Sequence, residues 1–412
     1  MRHPLPSALF GAIASSRDEI VSENGGRGSS TRRTQPLLCG PLARFCERPA
    51  SSMALANAPD ASPSWLEQGR ERLGCLAKPP GSLGTLEDWA ATMCEMQQTL
   101  TPTAEPASVL VFCGDHGCKK ADPALSPFPG EVTQAIFRSL AAGISGTAVL
   151  ARAAGAALTV VDVGIDGDVA QVQASAAEIM VCHSKVRRGT ADLKESPAMD
   201  ETTLAAAMAV GQQTVAAESA RGVRVVCIGE VGIGNTTSSA ALVAALTGSD
   251  AADCCGRGTG LDDGGLAHKT LTVKKALTVH QHAVAKAAEQ LGGEETRLQA
   301  REALRCMGGL ELAAMAGAYM EAARLGMVTV VDGSISAAAA LCAVRMDPSC
   351  RRAMVFATAL AEEPQAGRGG QILEEALVAT PAPWWSLPQP VRAMMAAGCS
   401  VLRCFVWASP VR

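Results

Sequence analysis

The chain has 412 residues, enough for one large α/β domain with additional segments or for two domains. Hydrophobic residues make up 48% and aromatic residues only 3%, so a sizeable core must be built mainly from aliphatic side chains and alanine. A formal net charge of −4 provides no positive field for holding nucleic acid, which favours a small-molecule substrate or a protein partner.

The 15 cysteines point to thiols rather than to a metal site or a disulfide framework. No Cys-x-x-Cys pair occurs, and no histidine stands at ligand spacing beside a cysteine, so no metal site is predicted. The odd total argues against a secreted disulfide scaffold, and we expect reduced, mostly buried thiols. No apolar run reaches about 18 residues, so the sequence predicts no transmembrane span.

Residues 1–60 are predicted to be a leader, separate from a domain at 61–375, because no hydrophobic period holds there. Two interpretations stay open. Arginine and serine are frequent, as in an organelle transit peptide, although acidic residues such as Glu19 and Glu23 are unusual in one. The alternative is a disordered leader, or an over-extended gene model with Met53 as the true start. The expected location is therefore cytoplasmic, or organellar if residues 1–60 are a transit peptide.

From about residue 64 onward, helical and strand patterns alternate along the chain. In chain order we predict a helical pattern from 64, a helix at 85–100, a strand at 108–113, a helix at 131–153, a strand at 157–163, a helix within 196–221, a strand at 223–228, helices at 236–246 and 304–325, and a strand at 327–331. Strands separated by helices of this length predict βαβ units and a parallel sheet.

Polar, glycine-rich loops follow these predicted strands. Loops 114–117, 229–237 and 332–336 each come after a strand, where ligands bind in open parallel sheets. In the second loop, Gly232 and Gly234 precede a helix start, a combination whose flexible backbone and free N–H groups suit phosphate. The loop has neither the Walker A nor the dinucleotide-binding pattern. A tight turn with a threonine N-cap is the structural alternative.

Three further features each allow two interpretations. Loop 256–260, with three glycines followed by Asp262, Asp263 and Lys269, is either a second anion-binding loop or a solvated turn with surface charges. The Asp115-His116 pair is either a metal or acid/base pair or a structurally hydrogen-bonded histidine. Asp332 is either a ribose or phosphate contact or a helix N-cap.

Seven motifs in the same order resemble those of the nicotinate-nucleotide–dimethylbenzimidazole phosphoribosyltransferases. They are residues 78–84, 114–117, 126–134, 229–237, 256–263, 308–311 and 332–336. Together they span roughly residues 64–345, and on them the chain is identified as a member of that family. The resemblance implies a doubly wound, mostly parallel α/β fold with a small helical domain drawn from both chain ends. It also implies a homodimer and no cofactor.

The family resemblance also implies a reaction. Its members transfer the phosphoribosyl group of nicotinate mononucleotide to 5,6-dimethylbenzimidazole, giving α-ribazole 5′-phosphate and nicotinate, a step in building the lower-ligand nucleotide of cobalamin. The substrate's pyridinium nitrogen already carries positive charge, so positioning supplies much of the catalysis. The attacking base loses an N–H proton, for which a nearby carboxylate is useful.

The resemblance assigns roles residue by residue. Ser126 and Gln134 are expected to line the benzimidazole pocket, with Glu230 and Val231 beside the bound base. Lys269 is expected to neutralise the phosphate or the nicotinate carboxylate, and with Glu230 it forms the predicted catalytic pair. The remaining expected substrate contacts, mostly around the phosphate, are Gly232, Gly234, Asn235, Thr236, Gly256, Gly258, Thr259, Gly260 and Asp332.

The C-terminal residues 376–412 depart from the family pattern. Family members carry a Gly-Glu-Gly segment there, and its glutamate is the usual candidate for the base. In this chain no such segment occurs, and no side-chain carboxylate follows Glu375. We therefore expect weak transferase activity from the chain as written, with Glu230 as a partial substitute. Two alternatives are a binding module that carries a benzimidazole and a transferase that uses a different aromatic base.

Overall fold

The computed structural model describes residues 63–289, 295–363 and 365–378. The predicted leader at 1–60 and nearly all of the predicted divergent tail at 376–412 lie outside the described residues. The domain boundaries placed at these positions therefore stay predictions.

Within the described residues, six strands form one sheet. They are β1 Ala107–Gly114, β2 Ala157–Gly164, β3 Ile179–His183, β4 Val225–Val231, β5 Val328–Val331 and β6 Met354–Phe356. Their order across the sheet is β3-β2-β1-β4-β5-β6, and all neighbours pair in parallel. The predicted α/β class with a parallel sheet is confirmed. The sequence pattern predicts four of these strands but neither β3 nor β6.

Helices surround the sheet. They are α1 Trp65–Gly74, α2 Thr85–Gln97, α3 Gly117–Ala121, α4 Val132–Ala141, α5 Gly146–Ala153, α6 Glu201–Ala220, α7 Asn235–Thr247, α8 Ala251–Cys254, α9 Asp263–Ala288, α10 Glu295–Met307, α11 Leu310–Arg324, α12 Ser334–Met346 and α13 Arg368–Val378. No helix in the described part of the chain is both long enough and apolar enough to cross a membrane.

Two of the predicted helices are wrong in their extent. The predicted helix at 131–153 is two helices, α4 and α5, and the Ser145 hydroxyl caps α5 by accepting a hydrogen bond from the Ala148 N–H at 3.1 Å. The predicted helix at 304–325 is α10 followed by α11, separated at Gly308 and Gly309. In both cases the apolar pattern continues across a break that is made by short-range backbone geometry.

Both interpretations of loop 256–260 stay open: Arg257, Thr259, Gly260, Asp262 and Asp263 are exposed, as in a solvated turn, while Gly258 and Lys269 are buried. The Asp262 carboxylate accepts from the Gly265 N–H at 2.7 Å and caps α9, a helix of 26 residues. Lys269 therefore lies in the second turn of a long helix, on a side that is buried.

The core lies between the sheet and helix α11, which packs against β1, β2, β4 and β5. Phe112 of β1, Val160 of β2 and Tyr319 of α11 are fully buried. From β1 the chain proceeds outward to β3, then returns to β4 on the other side of β1. The strand order therefore reverses between β1 and β4, and a crevice at such a point is where open α/β sheets bind ligands.

Candidate active site

A chain of hydrogen bonds joins three of the sequence motifs at the carboxyl ends of β1 and β4. The Asp115 carboxylate accepts from the Thr133 hydroxyl at 2.6 Å and from the Asp166 N–H at 2.8 Å. The Thr133 oxygen in turn accepts from the Ile233 N–H at 3.1 Å. Asp115 is buried, and the loops that follow β1 and β4 are thus held together through the first turn of α4.

His116 lies behind these loops and not in the crevice. Its Nε2 lies 2.6 Å from Glu311 Oε1 and its Nδ1 lies 2.9 Å from the Ser238 hydroxyl, and the side chains of His116 and Glu311 have no solvent exposure. Burial disfavours a charged imidazole, but the Glu311 carboxylate outweighs it and raises the pKa of His116. Of the two interpretations of Asp115-His116, the structure favours the structurally hydrogen-bonded histidine.

The loop between β4 and α7 begins the helix with a glycine. Gly234 has φ of +105°, a left-handed conformation that glycine adopts without strain, and it occupies the N-cap position. The alternative of a threonine N-cap is therefore wrong. The Asn235 N–H donates to the Gly232 carbonyl at 3.1 Å, and the Thr237 N–H donates to the Gly234 carbonyl at 3.0 Å. These two N–H groups are already engaged, so side chains must supply part of any anion site here.

A cavity of about 260 Å³ lies in front of this loop. Nine of the fourteen site residues predicted from the sequence line it, namely Glu230, Val231, Gly232, Asn235, Thr236, Gly256, Gly258, Thr259 and Lys269. The sequence prediction that the two glycine loops share one site thus agrees with the geometry.

Lys269 is a buried cation on the cavity wall. The residue is 1% exposed, and its Nζ donates to the Thr236 hydroxyl at 3.0 Å and to the Gly256 carbonyl at 2.9 Å. Burial lowers the pKa of Lys269 to about 8, against the opposing influence of the Cys255 and Cys118 thiols. Both hydrogen-bond partners are neutral, so an anionic ligand would supply the negative charge that they lack.

Glu230 is the carboxyl group at the end of β4. Burial, reinforced by Glu311, raises the pKa of Glu230 to about 8, while His116 and a hydrogen bond from Asn235 oppose the rise. At neutral pH this side chain is mostly protonated. The cavity therefore combines a buried ammonium with a carboxyl group that titrates near pH 8, and perturbed groups of this kind are typical of active sites.

The second glycine loop closes the cavity together with two other segments. The Ser126 and Thr259 hydroxyls lie 3.4 Å apart, which places the Ser126 loop at the rim. The Gly258 N–H donates to the Gln365 carbonyl at 3.3 Å, so the segment between β6 and α13 also packs against this loop. The cavity is thus bounded by chain segments far apart in sequence.

Five predicted site residues do not line the cavity. Ser126 is at its rim, Gln134 packs against the backbone of Gly167, and the Asp332 carboxylate accepts from the Thr358 hydroxyl. Asp332 is not the N-cap of α12, a position that Gly333 occupies. The other two are Gly234, a residue of the first loop that packs against the Lys119 side chain, and Gly260, which is exposed.

The sequence does not single out the residues that form the rest of the wall, although Ile233, Ser334 and Ile335 lie in loops that it predicts to bind a ligand. This part of the wall consists of Ile136, Ile233, Ser239, Ala240, Val243, Cys254, Ser334, Ile335, Glu363, Gln365, Ala366, Gly369 and Leu373. One signal was present, because Thr236, Ser239, Ala240 and Val243 follow the spacing of one helix face. The contribution of residues 363–373 carries no such signal, since it depends on how α13 packs against α7, α8 and α12.

Comparisons with known proteins agree with this geometry. The DBI_PRT family model, described as phosphoribosyltransferase, matches residues 58–382. A nicotinate-nucleotide–dimethylbenzimidazole phosphoribosyltransferase of Pseudomonas aeruginosa strain LESB58 is 38% identical over 78% of this chain and 84% of its own length. The protein of that name from Chromobacterium violaceum is 42% identical over 68% of this chain and 75% of its own.

A solved structure supports the same assignment. The crystal structure of CobT from Thermus thermophilus aligns with a TM-score of 0.68 and 30% identity, covering 84% of this chain and 95% of that one. Sequence motifs, the strand order, the cavity and these relatives therefore lead to one conclusion. The chain belongs to the nicotinate-nucleotide–dimethylbenzimidazole phosphoribosyltransferase family and is a transferase of that family.

Proposed function

We propose that this chain transfers the phosphoribosyl group of nicotinate mononucleotide to 5,6-dimethylbenzimidazole, releasing nicotinate and forming α-ribazole 5′-phosphate. The observation that carries the proposal is the pairing, in one cavity, of the buried cation Lys269 with the carboxyl group of Glu230. The relatives named above bear the name of this transferase, which favours it over a binding module or a transferase for another base.

Lys269 and the hydroxyls around it bind the anionic end of the nucleotide. The ammonium group and the Thr236 hydroxyl lie between the two glycine loops, and Thr259 faces the same space. A phosphate placed there gains a charge-assisted hydrogen bond from a buried ammonium, where the charge is screened less than at the surface. Holding the phosphate fixes the ribose, which places its anomeric carbon in reach of the incoming base.

Glu230 acts on the base. As the bond between the anomeric carbon and the nicotinate nitrogen breaks, its electron pair stays with the pyridine ring. A lone pair on one benzimidazole nitrogen forms the new bond from the opposite face, which inverts the configuration. The proton on the other benzimidazole nitrogen leaves to a carboxylate, and Glu230 is the proposed acceptor when it is ionised.

The proposed assembly is a homodimer, and the cytoplasmic location expected from the sequence stays a prediction, because residues 1–60 lie outside the described residues. Light scattering of the purified chain tests the dimer.

The activity is tested by incubating the chain with nicotinate mononucleotide and a panel of aromatic bases, with mass detection of ribosides. A riboside from 5,6-dimethylbenzimidazole supports the proposal. If ribosides form only from other bases, the acceptor in the proposal is wrong and one of those bases takes its place. If no base gives a riboside, the binding module is favoured.

A further inference from the structure

Behind the first glycine loop lies a buried group of ionisable side chains that the proposed reaction does not use directly. The imidazole of His116 bridges Glu311, on α11, and Ser238, on α7. Asp115 is its neighbour in sequence and influences its charge. The carboxyl groups of Glu311, Asp115 and Glu230 all favour the charged form of this imidazole, and that of Glu311 is hydrogen-bonded to it, in the interior where unpaired negative charges are costly.

The backbone brings this group directly beneath the site. Phe112 of β1 pairs with Glu230 of β4, so the ends of the two strands lie side by side. A side chain on Gly232 would lie 2.4 Å from the Gly114 carbonyl and 3.4 Å from both His116 Nε2 and Glu311 Oε1. Residue 232 must lack a side chain because a Cβ would clash with the Gly114 carbonyl, and this close approach places the loop directly over the His116–Glu311 pair.

Other charged groups around Glu230 do not replace this pair. The Cys113 thiol of β1 is fully buried, while Lys269 and Glu363 lie with Glu230 on the walls of the cavity. Lys269 is held by Thr236 and Gly256, and one oxygen of Glu363 accepts from the Ser334 N–H at 2.8 Å. The His116–Glu311 pair beneath the first glycine loop is thus the charged group that acts on Glu230 from the interior.

We propose that His116 is a positioning residue of this site: its imidazole, charged and held between Glu311 and Ser238, neutralises the Glu311 carboxylate beneath the first glycine loop and so lets Glu230 release its proton. The proposal rests on the role of Glu230 as the base. Without the imidazolium, an uncompensated Glu311 carboxylate repels the second negative charge that Glu230 must acquire.

The test follows the ionisation of Glu230 without turnover. Carbon-13 spectra of protein labelled at glutamate side chains are recorded against pH, and the Glu230 signal is assigned by its loss in Glu230→Gln. We expect His116→Gln to raise the midpoint of Glu230 by about one pH unit or more. Glu311→Gln should lower the Glu230 midpoint. Adding Glu311→Gln to His116→Gln should cancel the rise that His116→Gln causes alone. The control is His280→Gln, a buried histidine bonded to the Leu193 carbonyl, which should leave the midpoint unchanged.

A purely structural role gives a different pattern. If His116→Gln and Glu311→Gln shift the midpoint in the same direction, or if neither shifts it in folded protein, the inference is overturned. If His116→Gln fails to fold, the test compares Glu311→Gln with the double variant His116→Gln/Glu311→Gln, since both lack the Glu311 charge and differ only in the imidazole. The proposal then requires a lower Glu230 midpoint in Glu311→Gln than in the double variant. If the midpoint moves as expected while the pH profile of kcat/KM does not follow, the effect of His116 on the ionisation of Glu230 stands and the proposed role of Glu230 as the base fails.

Discussion

Replacing Lys269 with methionine separates the contribution of this lysine to nucleotide affinity from its cost to the free energy of unfolding. Methionine has a similar length and no charge, so it fills the buried space beside Thr236. Burial lowers the lysine pKa from 10.5 to about 8. A shift of this size corresponds to a penalty of about 3 kcal/mol for keeping the group charged in the folded protein.

The sign of the pH dependence follows from linkage. Because the folded pKa lies below the unfolded one, the stability contribution of Lys269 is fully present above about pH 10.5 and is lost as pH falls through about 8. The wild-type free energy of unfolding should therefore gain about 3 kcal/mol relative to Lys269→Met between pH 8 and pH 10.5. Below pH 8 the variant avoids that penalty but leaves the Gly256 carbonyl without the lysine donor, which costs about 1–3 kcal/mol.

The affinity of Lys269→Met for nicotinate mononucleotide should be lower than that of the wild type. Loss of a charge about 4 Å from a phosphate, at an effective dielectric constant near 20, costs up to about 4 kcal/mol, so Kd for nicotinate mononucleotide should rise roughly 10²–10³-fold. Calorimetric titration and urea unfolding at a series of pH values measure the two effects. The control is Lys274→Met, on the same helix but exposed and paired with Asp250. Unchanged affinity, or unfolding curves that run parallel with the wild type from pH 8 to 10.5, would refute the reasoning.

The remaining predictions concern the loop, the base and the two chain ends. Gly234→Asp should abolish nucleotide binding, because φ of +105° disfavours any side chain and its Cβ would lie 2.7 Å from that of Lys119; unchanged affinity in calorimetry would contradict this. The kcat/KM profile should rise as Glu230 ionises and fall as Lys269 loses its charge, both near pH 8, which gives a narrow bell, and Glu230→Gln should remove the rising limb. A chain starting at Met53 should melt within a few degrees of the full chain, and a large drop in Tm would show that the leader packs on the core. A chimera whose tail restores the Gly-Glu-Gly segment should turn over roughly 10²–10⁴-fold faster than this chain, and equal rates would refute the importance of that glutamate.

The sequence predicts the sheet better than it predicts the helices. Strands β1, β2, β4 and β5 are continuous apolar runs, as buried parallel strands must be, and each is predicted within a few residues. β6, only three residues long, gives too little pattern to be recognised. Helix breaks such as the one before Ser145 depend on local backbone geometry, which hydrophobic spacing does not report.

For the site, the glycine loops and Lys269 are predictable as residues, but their environments are not. Charge alone suggests that Lys269 is a surface residue, and it is buried because α9 packs against α7 and the loop after α8. The buried network of His116, Glu311 and Ser238 joins residues up to 195 positions apart, so no spacing rule reveals it. Motif resemblance locates Glu311 within a pattern but does not indicate its partner.

A crystal structure of this chain with bound nicotinate mononucleotide tests the central claim most directly, because it locates the phosphate and the ribose at once. We expect the phosphate within hydrogen-bonding distance of Lys269 Nζ and the Thr236 hydroxyl, with the anomeric carbon open towards Glu230. Nucleotide bound with its phosphate away from Lys269, or outside the cavity between the two glycine loops, would contradict the account.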